Sequence, residues 1–289
     1  MKYAFFPGCS LDATAWDFGR STRVTMEALG VELEEIPDWV CCGSTPAHAT
    51  DTALAEALPF LNLEKAAAME RPVMASCASC YSRFKIASYD LQHNEERRQE
   101  VEQILGKPIS GDVEVRHVLD VLVNDVGLKA IERRVTRPLK GLKVACYYGC
   151  LLTRPSKVVA FDNPESPMVM DDLVESIGGT PVAWPFKTEC CGASQAIPNP
   201  EVVARLSHRI LAMAAEAGAD CLAVACQMCQ MNLDLGQKAA KEYGALPDIP
   251  VLYATQLLGL SLGLSPKALG LRALVVSAKP LLKKMDIAS

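Results

Sequence analysis

Two hydrophobic periods alternate along this 289-residue chain. Residues 3–6 form a short apolar run stopped by Pro7 and Gly8, the length and ending of a buried strand. Residues 16–29 carry helical spacing and stop at Gly30, a suitable residue just past a helix C-terminus. Residues 31–36 alternate apolar and charged, as a half-exposed strand does, and Pro37 closes them. The Ala/Leu/Glu-rich stretch 51–69 predicts a helix and 72–75 a buried strand, with another helix from about Tyr81. The order then returns: strand 143–147, helix 168–177, strand 181–184, helix 201–217, strand 222–225, and a helix after Cys229. Strands alternating with helices predict an α/β fold of mostly parallel sheets flanked by helices.

The return is a duplication. Ten of the twelve cysteines fall at 9, 41, 42, 77, 80 and again at 150, 190, 191, 226, 229. Each set reads Cys, then Cys-Cys-Gly, then Cys-x-x-Cys. The first gap is 31 residues in one set and 39 in the other, and the second gap is 34 in both. The flanks agree as well: Cys41-Cys42-Gly43 answers Cys190-Cys191-Gly192, and 113–122 has the shape of 249–258. Two homologous domains are expected, 1–135 and 136–289, related by a pseudo-two-fold axis. The charged segment 127–142, broken at Pro138, reads as the linker, and 161–167 as the insertion that lengthens the second copy's first gap. The last ~25 residues, with Lys283 and Lys284, suit an amphipathic helix packed on its own domain or on a partner.

Composition narrows the function. Apolar residues make up 50% and charged residues 22%, enough for packed cores. A net charge of −5 offers no basic surplus for a phosphate backbone. Pro7, Gly8 and Cys9 interrupt the N-terminus before a secretory hydrophobic region of usual length. The nearly apolar stretch 254–264 is too short to span a bilayer. A cytoplasmic location follows as the expectation, with the cysteines as thiolates rather than a disulfide framework.

Thiolates in this number hold metal, and three chemistries compete. Structural zinc takes four ligands, commonly from two Cys-x-x-Cys hairpins, whereas each copy supplies one such hairpin and an adjacent pair. A dithiol of the thioredoxin kind would use each Cys-x-x-Cys and leave six repeated cysteines without a task. Iron–sulfur suits five thiolates best, because neighbouring cysteines can reach different irons. Gly8, Gly43, Gly149 and Gly192 beside the cysteines let backbone approach a bulky group and offer it N–H donors. All ten cysteines fall at strand C-terminal ends or just beyond, where open α/β sheets place their ligand sites.

The doubled Cys, Cys-Cys, Cys-x-x-Cys pattern resembles the duplicated cysteine-rich CCG family typified by the B component of heterodisulfide reductase. The resemblance covers essentially the whole chain. It implies that Cys9, Cys41, Cys42, Cys77 and Cys80 ligate one non-cubane [4Fe-4S] cluster. It implies the same for Cys150, Cys190, Cys191, Cys226 and Cys229 with a second. It further implies a catalytic component that reduces a disulfide, of the coenzyme M–coenzyme B type or a related one, to two thiols between paired clusters. Two electrons are needed to break the bond, and each centre delivers one. The partners implied are the other two components of such a complex, a ferredoxin-like iron–sulfur protein (its C component) and a flavin-containing protein (its A component). The chain itself lacks a Gly-x-Gly-x-x-Gly fingerprint, a P-loop and cubane motifs. Some relatives serve hydroxy-acid oxidation, so the alternative is an electron-transfer module without chemistry of its own.

Outside the cysteine sets, two residues are candidates for catalysis. His48, six residues after Cys42, suits a proton donor to a product thiolate or an ordinary helix-start histidine. Lys187, ahead of the second pair, suits an anionic substrate tail or a structural role. Cys146 and Cys221 read as small core residues, and His93, His117 and His208 as structural. A shared substrate requires the strand C-termini of both copies to face each other. The expected cleft is therefore lined by the segments around Cys9, Cys41-Cys42, Cys150 and Cys190-Cys191, with the clusters on the order of 10 Å apart.

Overall fold

A computed structural model describes residues 1–44, 50–109 and 113–287. It contains two four-stranded parallel sheets of identical strand order. The first pairs β2 (Glu32–Glu35), β1 (Lys2–Phe6), β3 (Val73–Ala75) and β4 (Val115–His117) in that order. The second pairs β6 (Thr180–Pro181), β5 (Lys143–Tyr147), β7 (Cys221–Val224) and β8 (Val251–Tyr253). Registers match as well: Phe5 stands beside Met74 as Cys146 stands beside Ala223. The two copies are α/β domains built from one plan.

Most expected elements lie within two residues of their place, and the departures have local causes. The strand foreseen at 181–184 stops at Pro181. The chain then turns so that the indole of Trp184 donates to the carbonyl of Cys146 at 3.1 Å. The helix foreseen from Tyr81 starts at Ala78, because the sulfur of Cys77 accepts the amide of Cys80 at 3.3 Å and caps the first turn. Its counterpart likewise starts at Gln227, behind Cys226. Part of the segment read as linker is helical, Leu128–Glu132, and continues a π-helical stretch, Val121–Gly127. The C-terminal helix Lys279–Lys284 packs on its own domain: Leu281 and Leu282 are buried, and Lys284 pairs with Asp220.

The copies are joined by exchange. The helix after β8, Ala254–Ser261, belongs to the second copy but lies on Trp16–Ala28 of the first. There Ser21 and Thr255 hydroxyls meet at 2.8 Å, and Phe18 stacks on Tyr253 with centroids 4.0 Å apart. Such an aromatic pair adds about 1 kcal/mol beyond its buried area. Reciprocally, the helical segments after β4 lie on Val169–Ser176 of the second copy. Each copy thus covers an apolar helix face of the other, the reciprocity a pseudo-two-fold relation requires.

Candidate functional site

In a parallel sheet of order 2-1-3-4 successive strands are added on opposite sides of β1, so the connections after β1 and β3 run to opposite sides and a crevice opens at the C-terminal ends of these two strands. Cys9 follows β1 there, and Cys77 and Cys80 follow β3, as Cys150, Cys226 and Cys229 follow β5 and β7. The loops after β2 and β6 bring up Cys41-Cys42 and Cys190-Cys191.

Nine of the ten sulfurs are linked in contact: Cys41, Cys42, Cys80 and Cys77 in the first copy, and Cys150 with Cys190 and Cys191 with Cys229 and Cys226 in the second, while Cys9 stands exposed at the edge of its set. Cys42 and Cys80 sulfurs lie 3.2 Å apart, and Cys191 and Cys229 sulfurs 3.6 Å. Both are far beyond a disulfide bond of about 2.05 Å. They are contacts between free thiols, one S–H group turned onto the neighbouring sulfur. Gly43 and Gly192 both have positive φ and turn their N–H groups onto Cys41 at 3.4 Å and Cys190 at 3.3 Å. A Cβ on Gly8 would stand 3.2 Å from the Cys80 sulfur, and one on Gly149 would stand 3.1 Å from that of Cys229. Only glycine leaves each backbone that close to the opposite thiol. The two Cys-x-x-Cys segments open helices, whose N-terminal amides favour thiolate.

Crowded, buried thiols cannot all ionise alone. Cys42 is pulled below the ordinary thiol range by hydrogen bonds from Cys41 and Cys80. Cys190 is lowered to about 6, chiefly by Cys150. Cys80, donating to Cys42, and Cys77, desolvated by burial, are pushed up. Each set thus supports isolated thiolates held by neighbouring S–H groups, and full ionisation needs a strongly cationic group among them. Among the described residues no three His, Cys, Asp or Glu side chains close on a single-ion site. Sulfurs approaching in pairs suit a multi-iron group, whose ligands attach to different metals.

The two sets touch. The Cys77 thiol of the first copy interacts directly with the Cys226 thiol of the second, and the amide Nε2 of Gln227 lies 2.9 Å from the Cys77 sulfur. Beside this junction is a cavity of about 390 Å³. The second copy contributes Cys150, Cys190, Cys191, Cys226 and Cys229 to its wall, and the first contributes Ser44, Ser79, Ser82 and Arg83. Arg83 Nε and Ser82 Oγ are buried and have no hydrogen-bond partner among the described residues. A roomier cavity of about 660 Å³, near Asp220 and Lys284, lies at the other end of the second sheet, away from the thiols.

Lys187 is not on the cavity wall. It is buried, with Nζ donating to Asp171 Oδ1 at 2.8 Å and to the carbonyl of Pro167 at 3.0 Å. Its own carbonyl accepts the amides of Tyr148 and Gly149, tying the approach to Cys150 to the approach to Cys190. His48 lies outside the described residues. Cys146 and Cys221 are fully buried in β5 and β7, and burial pushes both thiols up. His117 is buried against the carbonyl of Ser76. Two participants carried no sequence signal, Arg83 and Gln227. Aligning the Cys-x-x-Cys segments would have marked them only as positions where the copies differ, Arg83 against Asn232 and Gln227 against Ala78.

Comparison with known proteins agrees with this site. The cysteine-rich CCG domain matches residues 3–85 and again 144–234. The chain is 32% identical to the 8-methylmenaquinol:fumarate reductase membrane anchor subunit of Wolinella succinogenes, over 97% of this chain and 99% of that one. It is 33% identical to the B component of the ferredoxin/F(420)H(2)-dependent CoB-CoM heterodisulfide reductase of Methanosarcina acetivorans, over 93% and 92%. The B component of the ferredoxin:CoB-CoM heterodisulfide reductase of Methanosarcina mazei matches to the same extent. A hypothetical protein from Helicobacter pylori shares the fold at a TM-score of 0.75 and 14% identity, over 96% of this chain and 52% of that one. Among the described residues no helix is long and apolar enough to cross a membrane. The relatives place the chain in an electron-transfer role as one component of an oxidoreductase with partners. With the domain present twice and all ten cysteines in place, the chain belongs to the CCG cysteine-rich family, alongside the B component of heterodisulfide reductase.

Proposed function

We propose that the chain is the disulfide-reducing member of a heterodisulfide reductase-like complex. In this reading Cys9, Cys41, Cys42, Cys77 and Cys80 hold one non-cubane [4Fe-4S] group, and Cys150, Cys190, Cys191, Cys226 and Cys229 hold the other. The observation that carries the reading is the cavity shared by both copies, opening on the second thiol set beside the point where the sets touch. When bound, each group supplies one electron at a time, and a pair balances R–S–S–R′ + 2 e⁻ + 2 H⁺ → R–SH + R′–SH.

The chain's own residues bind and orient. Ile86, Leu151, Pro155 and Met228 give the cavity an apolar wall that receives the carbon skeleton of a small disulfide and excludes water. Arg83, with its unpartnered Nε, offers a charge for an anionic tail, the task the sequence suggested for Lys187. Lys187 then serves as a positioning residue for the loops that carry Cys150 and Cys190. The substrate is of the coenzyme M–coenzyme B type or a related disulfide. Electrons arrive from a ferredoxin-like iron–sulfur partner and a flavin-containing partner, and the domain boundary falls near residues 135–136.

The match to a fumarate reductase membrane anchor subunit over nearly the full length of both chains favours a second reading, a relay without substrate of its own. One experiment separates the two. Candidate disulfides and their thiols are added to the anaerobically purified protein, and paramagnetic resonance and visible absorption are followed. Altered spectra of one or both centres support substrate reduction, and spectra indifferent to every thiol and disulfide leave only the relay.

A further inference from the structure

The junction between the sets is unsymmetrical in one atom group. Cys77 and Cys226 occupy equivalent places, and each is followed in the chain by a residue at a helix N-terminus beside the junction. After Cys226 that residue is Gln227, 7% exposed, with Nε2 at 2.9 Å from the Cys77 sulfur. After Cys77 it is Ala78, which has no polar group to return. A hydrogen-bond donor therefore passes from the second copy to the first, and the equivalent side chain passes none back.

The orientation of this amide has a chemical reason. A thiolate bound to metal has no proton to give, so it accepts and the amide must present its NH₂ end. Gln227 Oε1 is correspondingly left buried without a partner among the described residues. The amide thus makes its one buried contact through nitrogen, on Cys77. Donors to a ligating sulfur withdraw electron density from the metal and stabilise the more negative, reduced state. The effect is large here because both partners are out of water. Gln227 is also the chain neighbour of Cys226, so one residue links a ligand of each set.

We propose that Gln227 tunes the pair, raising the reduction potential of the first-copy group so that the first electron taken up comes to rest there. The inference rests on the reading that both sets hold iron–sulfur groups. It is tested on the full-length protein by redox titration under paramagnetic resonance, comparing wild type with Gln227→Met, which keeps the volume and removes the donor. The higher of the two midpoint potentials should fall, shifting the partition of the first electron at least tenfold, equivalent to about 59 mV for a one-electron couple, while the lower potential stays. Gln227→Asn keeps an amide on a shorter arm and serves if the Met variant fails to load iron; its higher potential must also fall. Unmoved potentials in a fully loaded variant, or movement of the lower one instead, overturn this inference alone. A wild-type protein that binds no iron–sulfur overturns it together with the functional reading above.

Discussion

Replacing Lys187 by Met separates its two possible tasks. In the fold its ammonium faces Asp171 at 2.8 Å, with side-chain exposures of 10% and 4%. Asp171 also accepts the hydroxyl of Tyr148 at 2.7 Å through its other oxygen. Removing the cation strands a carboxylate in the interior with that one strong donor. Breaking a buried pair from one side costs about 3–5 kcal/mol, because the remaining charge keeps its desolvation penalty. At roughly 2–4 °C per kcal/mol for a chain of this class, Lys187→Met should melt on the order of 10 °C below wild type. Adding Asp171→Asn removes the stranded charge and should recover most of that loss. Thermal unfolding followed by circular dichroism, with iron content measured beside it, gives the comparison. The backbone carbonyl of residue 187 still holds Tyr148 and Gly149, so the folded variant should keep both centres. A variant that melts like wild type yet loses affinity for an anionic disulfide would refute the reasoning and restore Lys187 to the substrate.

Four further outcomes are expected. Anaerobic iron, sulfide and zinc analysis should give roughly four irons per cysteine set and little zinc; one zinc with half that iron would remove the two-centre reading. Cys41→Ala and Cys191→Ala should each empty their own set first, since each ligand set lies within one repeat; simultaneous loss of both centres from folded protein would mean ligands are shared across copies. Gly149→Ala puts a Cβ 3.1 Å from the Cys229 sulfur at a φ of +69° and should cost about half the bound iron, with Ala at the exposed, unobstructed Gly218 as the control. Burial raises Asp17 to about 6, so the folded chain holds a proton that the unfolded chain releases near pH 4. Asp17 therefore lowers stability as pH rises from about 4 to 6. Asp17→Asn should add on the order of 2 kcal/mol at pH 7 and nothing at pH 4; an equal gain at both would contradict the charge argument.

The parts legible in the sequence were those written as spacing. Pro7 and Gly8 marked the end of β1, Gly30 the end of the first long helix, and the doubled cysteine pattern the two places where the thiols collect, because spacing of this kind survives duplication. Illegible parts depended on contacts between copies. Periodicity showed that residues 16–29 have a face to bury and could not show that Thr255 and Tyr253 cover it. Nothing near Lys187 in the chain announced Asp171, which reaches it only because the helix Val169–Ser176 begins beside that loop. The early helix starts at Ala78 and Gln227 were missed because cysteine is not an ordinary cap. It caps the first of them with a sulfur placed by the site itself.

What the copies share and where they part follow from what each atom must do. Gly8 and Gly149, Gly43 and Gly192, and the paired cysteines hold equivalent places, since they shape the space and donors that an inorganic group of one kind requires of each copy. The differences collect at the junction and the cavity wall: Ala78 against Gln227, Ser79 against Met228, Arg83 against Asn232. Asn232 donates to the carbonyl of Cys191 at 3.1 Å, closing its own copy, while Arg83 brings a free donor to the cavity wall. A symmetrical junction would treat both halves of a disulfide alike and give an electron no preferred resting place. Divergence at these positions sets an arginine and a serine of one copy against a methionine of the other on the cavity wall, and leaves a single amide between the sets, an asymmetry that the proposed unsymmetrical substrate and directed electron path would both use.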